Sequence, residues 1–216
     1  MIKGTSIKLL ELTNGVLTEE TVNDVLIGEY TESVPGDQPG GRLVGYTLAI
    51  PKGDTHNWVN RLVSFWGKYY RTKGYPEQGI EENIPLRWHK KVKVELADIS
   101  GICTIYDCKT YTRHIYRYAS VRDARGGIVV AADGSRTAGQ LQVQIYAPLF
   151  AVGSYVPKAG DMVIPCECTL EVDTTSEQTV SQSLKAIKAA YPQYAAAGDV
   201  SFPFYGETPD IVIRAR

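Results

Sequence analysis

The chain has 216 residues, a formal charge of -1 and 22% charged side chains, enough to fold around one large core or two small ones without disulfide or metal staples. A surface so close to neutral excludes a protein that grips nucleic acid over its whole face by counterion release, so any such contact has to be local. Tyrosine is in excess, 14 against 4 Phe, which suits half-buried rings whose hydroxyls reach water, backbone or a partner chain.

The amino terminus, Met1-Ile2-Lys3-Gly4-Thr5-Ser6, lacks the apolar run of a signal peptide, and no later segment approaches the roughly 20 apolar residues that span a bilayer. The expectation is a protein made and kept in a cytoplasm, with no membrane contact. Two short apolar stretches, 7–12 and 22–27, lead into Val34-Pro35-Gly36-Asp37-Gln38-Pro39-Gly40-Gly41, a loop by composition. Residues 42–50 read as a strand. Next, Trp58, Leu62, Phe65, Trp66 and Tyr69 would share one helical face capped by Asp54, but the β-rich composition of 62–72, broken at Gly67, favours strands.

Ile84-Pro85-Leu86-Arg87-Trp88 predicts an extended, edge-like approach to an alternating strand at Lys91-Val92-Lys93-Val94-Glu95-Leu96. Residues 110–122 read as a long polar strand, followed by a strand at 128–132. Asp133-Gly134 then signals a tight hairpin leading to the clearest alternation in the chain, Leu141-Gln142-Val143-Gln144-Ile145. A third alternating run, 164–172, places Cys166 and Cys168 on the same face as Ile164, Leu170 and Val172, as small core residues. One helix is predicted to start near Thr174 or Thr175, with Glu177 and Gln178 at the reciprocal capping positions, and to end before Pro192. Its core face is Val180, Leu184, Ile187 and Tyr191, while Ser181, Gln182, Lys185 and Lys188 point away. Residues 210–216 form a terminal strand. The fold class that follows is mainly β (α+β): an antiparallel sandwich or barrel-like core with one amphipathic helix packed on it and long loops. A single domain spanning 1–216, with an extended N-terminal segment and room for a subdivision near residue 98, accounts for the pattern.

The search for chemistry finds no nucleophile elbow, phosphate loop, paired-histidine zinc motif, dinucleotide fingerprint or calcium loop. The three histidines, His56, His89 and His114, have no acidic residue at a helical spacing to orient one as a base. Cys103 or Cys108 with His114 is the best nucleophile–base pair available, set against the simpler reading of core thiols. A zinc site from Cys103, Cys108, Cys166 and Cys168 has poor ligand spacing. No catalytic, cofactor or metal residue is therefore assigned. Cations interleaved with aromatics at Lys109, Arg113, Arg117, Arg122 and Arg125 have the ingredients of a local DNA-contacting surface; cross-strand pairing near a sheet edge explains the same residues.

The segments Gly53-Asp54-Thr55-His56-Asn57-Trp58, Tyr70 through Glu95 with its Gly74-Tyr75-Pro76-Glu77-Gln78-Gly79 and Trp88-His89-Lys90-Lys91, and Ile164-Pro165-Cys166-Glu167-Cys168 through Thr179 resemble virion structural proteins of tailed phages and prophages of gut Firmicutes. The resemblance implies a structural component of a virion at the head–tail junction (connector, neck or tail completion) or in the tail, with no catalytic residue. Such a protein forms a ring of identical copies and meets neighbouring virion proteins, and the cations above would be its local contact with packaged DNA. A tail-tube role, or a receptor- or carbohydrate-binding β module of the same particle, is the alternative. A ring assigns contact roles to the loop at 34–42, the hairpin at 123–136 and the tail after Pro203.

Overall fold

A computed structural model describes residues 4–13, 16–32, 42–51, 53–79, 89–130, 136–150, 154–204 and 209–216. The sequence allows one domain with a subdivision near 98; the chain divides into two compact units, and the first crossing lies between Ala97 and Asp98. Unit 1 comprises residues 1–97, 147–151 and 204–209; unit 2 comprises 98–146, 152–203 and 210–216. Both are antiparallel, mainly β, and close on themselves.

Unit 1 is a six-stranded barrel. Its strands are β1 (Thr5–Thr13), β2 (Val16–Glu32), β3 (Arg42–Pro51), β4 (Leu62–Phe65), β5 (Lys68–Gly79) and β6 (His89–Leu96), in the order β1-β2-β3-β6-β5-β4 with β4 returning to β1. Closure removes exposed sheet edges. Ile7, Leu9, Val22, Val25, Leu48, Ile50, Trp58, Val63, Phe65, Tyr70, Val92 and Val94 meet as one buried cluster. The aromatic stretch forms two strands, because Trp66 and Gly67 both take positive φ (51° and 69°) and turn β4 tightly into β5. Asp54 caps no helix: it shapes the loop before β4. At Gly45 on β3 a Cβ would lie 2.0 Å from the carbonyl oxygen of Val94 on β6, so that seam admits glycine alone.

Unit 2 holds a second barrel, built from β7 (Gly101–Tyr106), β8 (Arg113–Asp123), β11 (Leu141–Ile145), β12 (Met162–Ile164), β13 (Ala195–Ser201) and β14 (Ile211–Ala215), ordered β11-β14-β13-β12-β7-β8. A separate hairpin joins β9 (Ile128–Val130) to β10 (Arg136–Ala138). The Leu141 strand thus pairs with β8 and β14, not with 128–132 across the Asp-Gly turn. Residues 133–134 of that turn, like the loop at 34–41 and the approach at 84–88, lie outside the described residues. The terminal strand expected at 210–216 is β14, which lies between β11 and β13 in the barrel.

Three further features differ from the sequence reading. First, β7 has no counterpart in it, because Cys103, Thr104, Ile105 and Tyr106 are all buried; covered on both faces, the strand does not alternate and escapes a period-2 search. Second, the expected strand at 164–172 ends at Ile164. Past Pro165 the chain is held by side chains instead of a ladder: Thr104 Oγ1 donates to the Cys166 carbonyl (2.9 Å) and accepts from the Cys168 amide (2.8 Å), and Tyr106 Oη donates to the Leu170 carbonyl (2.7 Å). Leu170, expected on the core face, is 39% exposed. Third, the helix α1 (Glu177–Ala190) is capped by Ser176, and Thr179, not Glu177 or Gln178, is the reciprocal partner. Asp173 accepts from the backbone and hydroxyl of Thr175, and that turn delays the helix start. Of the predicted core face only Ile187 is fully buried, packed with Tyr106, Ile164 and Cys168; Tyr191 is half-buried against the same cluster. Val180 and Leu184 are also half-buried and line a groove beside Lys109, Thr110 and Tyr111.

Candidate functional site

The predicted cations fall on β8 and its two flanking turns. A bulge at Tyr118 (φ 62°) shifts the register between Arg117 and Ala119, which returns Arg113, Arg117 and Arg122 to one outward face of the strand. So the structure does bring three of the five together. It also gives them anchoring work. Arg113 reaches Glu171 (2.5 Å) and donates to the Cys168 carbonyl (2.9 Å), and Arg117 pairs with Glu167 (2.7 Å). Both strap the extended 165–172 segment onto the barrel. Arg125 binds Asp123 through two nitrogens and donates to the carbonyls of Gln193 and Tyr194, tying the chain after α1 to the end of β8. Lys109 is exposed and makes no ion pair among the described residues. A carboxylate faces each of Arg113, Arg117 and Arg125, so among these five cations the charge left to displace counterions from a phosphate backbone rests with Lys109 and Arg122.

The thiols are separated by environment. Cys103 lies in the barrel wall, where burial pushes its thiol up to about 12. Cys108 is exposed on the turn after β7, and its thiol is also raised, by desolvation and by the neighbouring Asp161. His114 stacks on Tyr155 (4.2 Å between centroids, 9° between planes), and burial lowers its basicity. A nucleophilic cysteine needs a depressed pKa, and these surroundings act in the opposite direction. Among the described residues one group, Asp107, Cys108 and Asp161, has three potential metal ligands close together. Its lone pairs serve the fold: Asp161 accepts from the Cys108 amide, the Tyr155 hydroxyl and the Lys158 amide, and Asp107 accepts from the amides of Lys109 and Thr110.

In unit 1 one exposed apolar residue is aromatic and held by its neighbours. Trp66, at the tip of the β4–β5 turn, is 61% exposed yet held edge-on by Tyr46 (5.5 Å) and Phe65 (5.2 Å). Behind it Phe65 stacks on Tyr70 at 4.0 Å, and Tyr46 meets Tyr70 edge-on at 5.5 Å. Tyr75 and Leu96 are exposed as well, at 66% and 63%. An indole held by two packed rings loses little freedom when it is covered, which is the property of an interface anchor.

A third constellation went unread in the sequence. Asp54, whose side chain is 5% exposed, accepts from His56 Nδ1 (2.5 Å) and from the indole N–H of the buried Trp58 (2.6 Å), while His56 Nε2 faces Glu20 of β2 at 3.0 Å. Asp54 lies two residues from His56 on a loop, not at the helical spacing that marks an orienting carboxylate. The signal available was the alternation in Asp54-Thr55-His56-Asn57-Trp58. Glu20 had none, since only the barrel brings β2 beside that loop.

No family model matches the chain, and neither curated proteins nor solved structures yield a match. Among the described residues no helix is long and apolar enough to cross a membrane.

Proposed function

We propose that this chain is a virion structural protein of a tailed phage or phage-like particle, made in the bacterial host cytoplasm, which forms a ring at the head–tail junction by self-association and meets neighbouring virion proteins there. The sequence resemblance supplies the setting. The observation that carries the mechanism is the indole of Trp66, largely exposed and immobilised by Tyr46 and Phe65; exposed aromatic anchors of this kind supply a large share of binding energy when a second chain covers them. Edge-free barrels favour association through side chains over strand addition, since a closed sheet offers no unpaired ladder. Contact with packaged DNA carries less weight, because Arg113, Arg117 and Arg125 are already paired.

The test is light scattering of the full chain at rising concentration, beside a Trp66→Ser variant. A mass that grows to a closed multiple in the parent, and falls in the variant at equal concentration, is expected. A parent that stays monomeric at the highest concentration reached overturns the ring. The same indole favours a second reading, the carbohydrate-binding module, in which the variant loses oligosaccharide binding while the mass of both proteins stays that of one chain.

A further inference from the structure

Both ring nitrogens of His56 face carboxylate oxygens, Nδ1 towards Asp54 at 2.5 Å and Nε2 towards Glu20 at 3.0 Å. A neutral imidazole has one N–H and one lone pair, so it satisfies one of these contacts and sets a lone pair against the other oxygen. Both contacts are favourable only for the imidazolium. The two carboxylates belong to different elements: Asp54 sits on the loop that precedes β4, and Glu20 on β2, where it pairs in register with Leu9 of β1. We propose that His56 is a proton-controlled clasp that ties the loop at 53–61 to β2, closed while both nitrogens carry protons and released from Glu20 when one proton is lost. This inference is independent of the ring, since it concerns unit 1 alone.

Among the described residues the charged groups nearest the ring are two carboxylates and one ammonium. On its own loop the partner is Asp54, nearly buried; from β2 it is Glu20, whose side chain is 66% exposed; from β6 the Lys90 ammonium donates to the Asp54 carbonyl (2.8 Å) and so pins the loop without touching the ring. Trp58 lies edge-on to the imidazole at 6.3 Å. On losing a proton the ring keeps Nδ1–H, because Asp54 is the more enclosed acceptor, and Glu20 is freed into water. Donation to Asp54 and then to Glu20 holds the imidazolium above the ordinary histidine range. A group raised in the folded state adds stability that is complete below its unfolded pKa, about 6.5, and is lost as pH rises through the higher folded value. Asp54 contributes at the acid end. Burial pushes its carboxyl up, but the donors His56 and Trp58 outweigh that and leave it below the usual carboxylate range. Its share is therefore present above the unfolded value of about 3.9 and lost as pH falls through the folded one. The clasp holds best between these limits.

The loop carries Trp58, 1% exposed and part of the barrel core, so its fastening governs access to that core. The experiment is imidazole nitrogen NMR on the full chain across pH, with His56→Gln used to assign the resonances, beside Glu20→Gln. Glu20 is exposed, so the second variant keeps its fold. The expected result is a His56 midpoint above 6.5, lowered by about half a pH unit in Glu20→Gln, the scale of an exposed ion pair. Amides at 55–59, corrected for the intrinsic exchange rate, should open about two- to fivefold more as pH passes the parent's midpoint, a step absent from Glu20→Gln. A midpoint unchanged by Glu20→Gln, or loop protection that ignores the titration, overturns the clasp.

Discussion

The two barrels contain the same number of strands and solve different problems of burial. Unit 1 gathers most of its buried apolar residues into one cluster, with Leu10 and Leu62 buried outside it, and fastens the loop ahead of β4 with polar bonds: Arg61 N–H to Thr72 Oγ1 (2.7 Å), Thr72 N–H to the Arg61 carbonyl (2.8 Å), and the buried Arg71 guanidinium to Asn60 Oδ1 (3.0 Å from Nε). Unit 2 buries β7 on both faces and covers the outer one with an extended segment and the amphipathic helix α1. A wall wet on one side leaves an alternating trace in the sequence. A wall covered on both sides leaves a short apolar run that fits several structures.

The largest effect separating the two is expected at the seam of unit 1. Gly45→Ala drives a methyl into the backbone of β6, where nothing flexible can yield; a loss on the order of 4 kcal/mol is expected, with amide exchange rising first across β3 and β6. Normal protection there would show that the seam relaxes.

In unit 2 the helix should depend on a single anchor. Ile187→Ala is expected to cost about 3 kcal/mol, as for a fully buried Ile, and to free α1. Leu184→Ala, at a half-buried position beside the groove, should cost under about 1 kcal/mol. Equal losses in denaturant unfolding would mean that the stripe packs as one face, as the sequence alone suggests.

A smaller effect probes how the extended segment is held. Thr104→Val removes the hydroxyl that serves both the Cys166 carbonyl and the Cys168 amide, leaving a buried N–H unpaired at a cost of about 2 kcal/mol. Faster exchange of the Cys168 amide, with β11 and β14 unchanged, is the expected signature. Uniform loosening of the whole barrel would instead make the segment part of its core.

Local chemistry carried much of the fold. Leu141–Ile145 and the Val92 strand announced themselves because one face meets the core and the other meets water. The helix was legible from its stripe, yet its cap was displaced to Ser176 by a turn at Asp173 whose strength no periodicity reports. The candidate cations were visible as a cluster. Their partners Glu167 and Glu171 were not, lying some fifty residues along the chain on a segment that only the barrel brings back.

By itself the sequence determined a mainly β, antiparallel chain with an amphipathic helix in its second half, because backbone geometry converts hydrophobic period into element type without reference to distant residues. Closure was decided by tertiary structure alone. The pairings of β1 with β4 and of β8 with β11 complete the two barrels, and the meeting of Glu20 with His56 depends on the first of them. Such contacts join residues whose spacing carries no local signal, and they exist only once the whole sheet has curved back on itself.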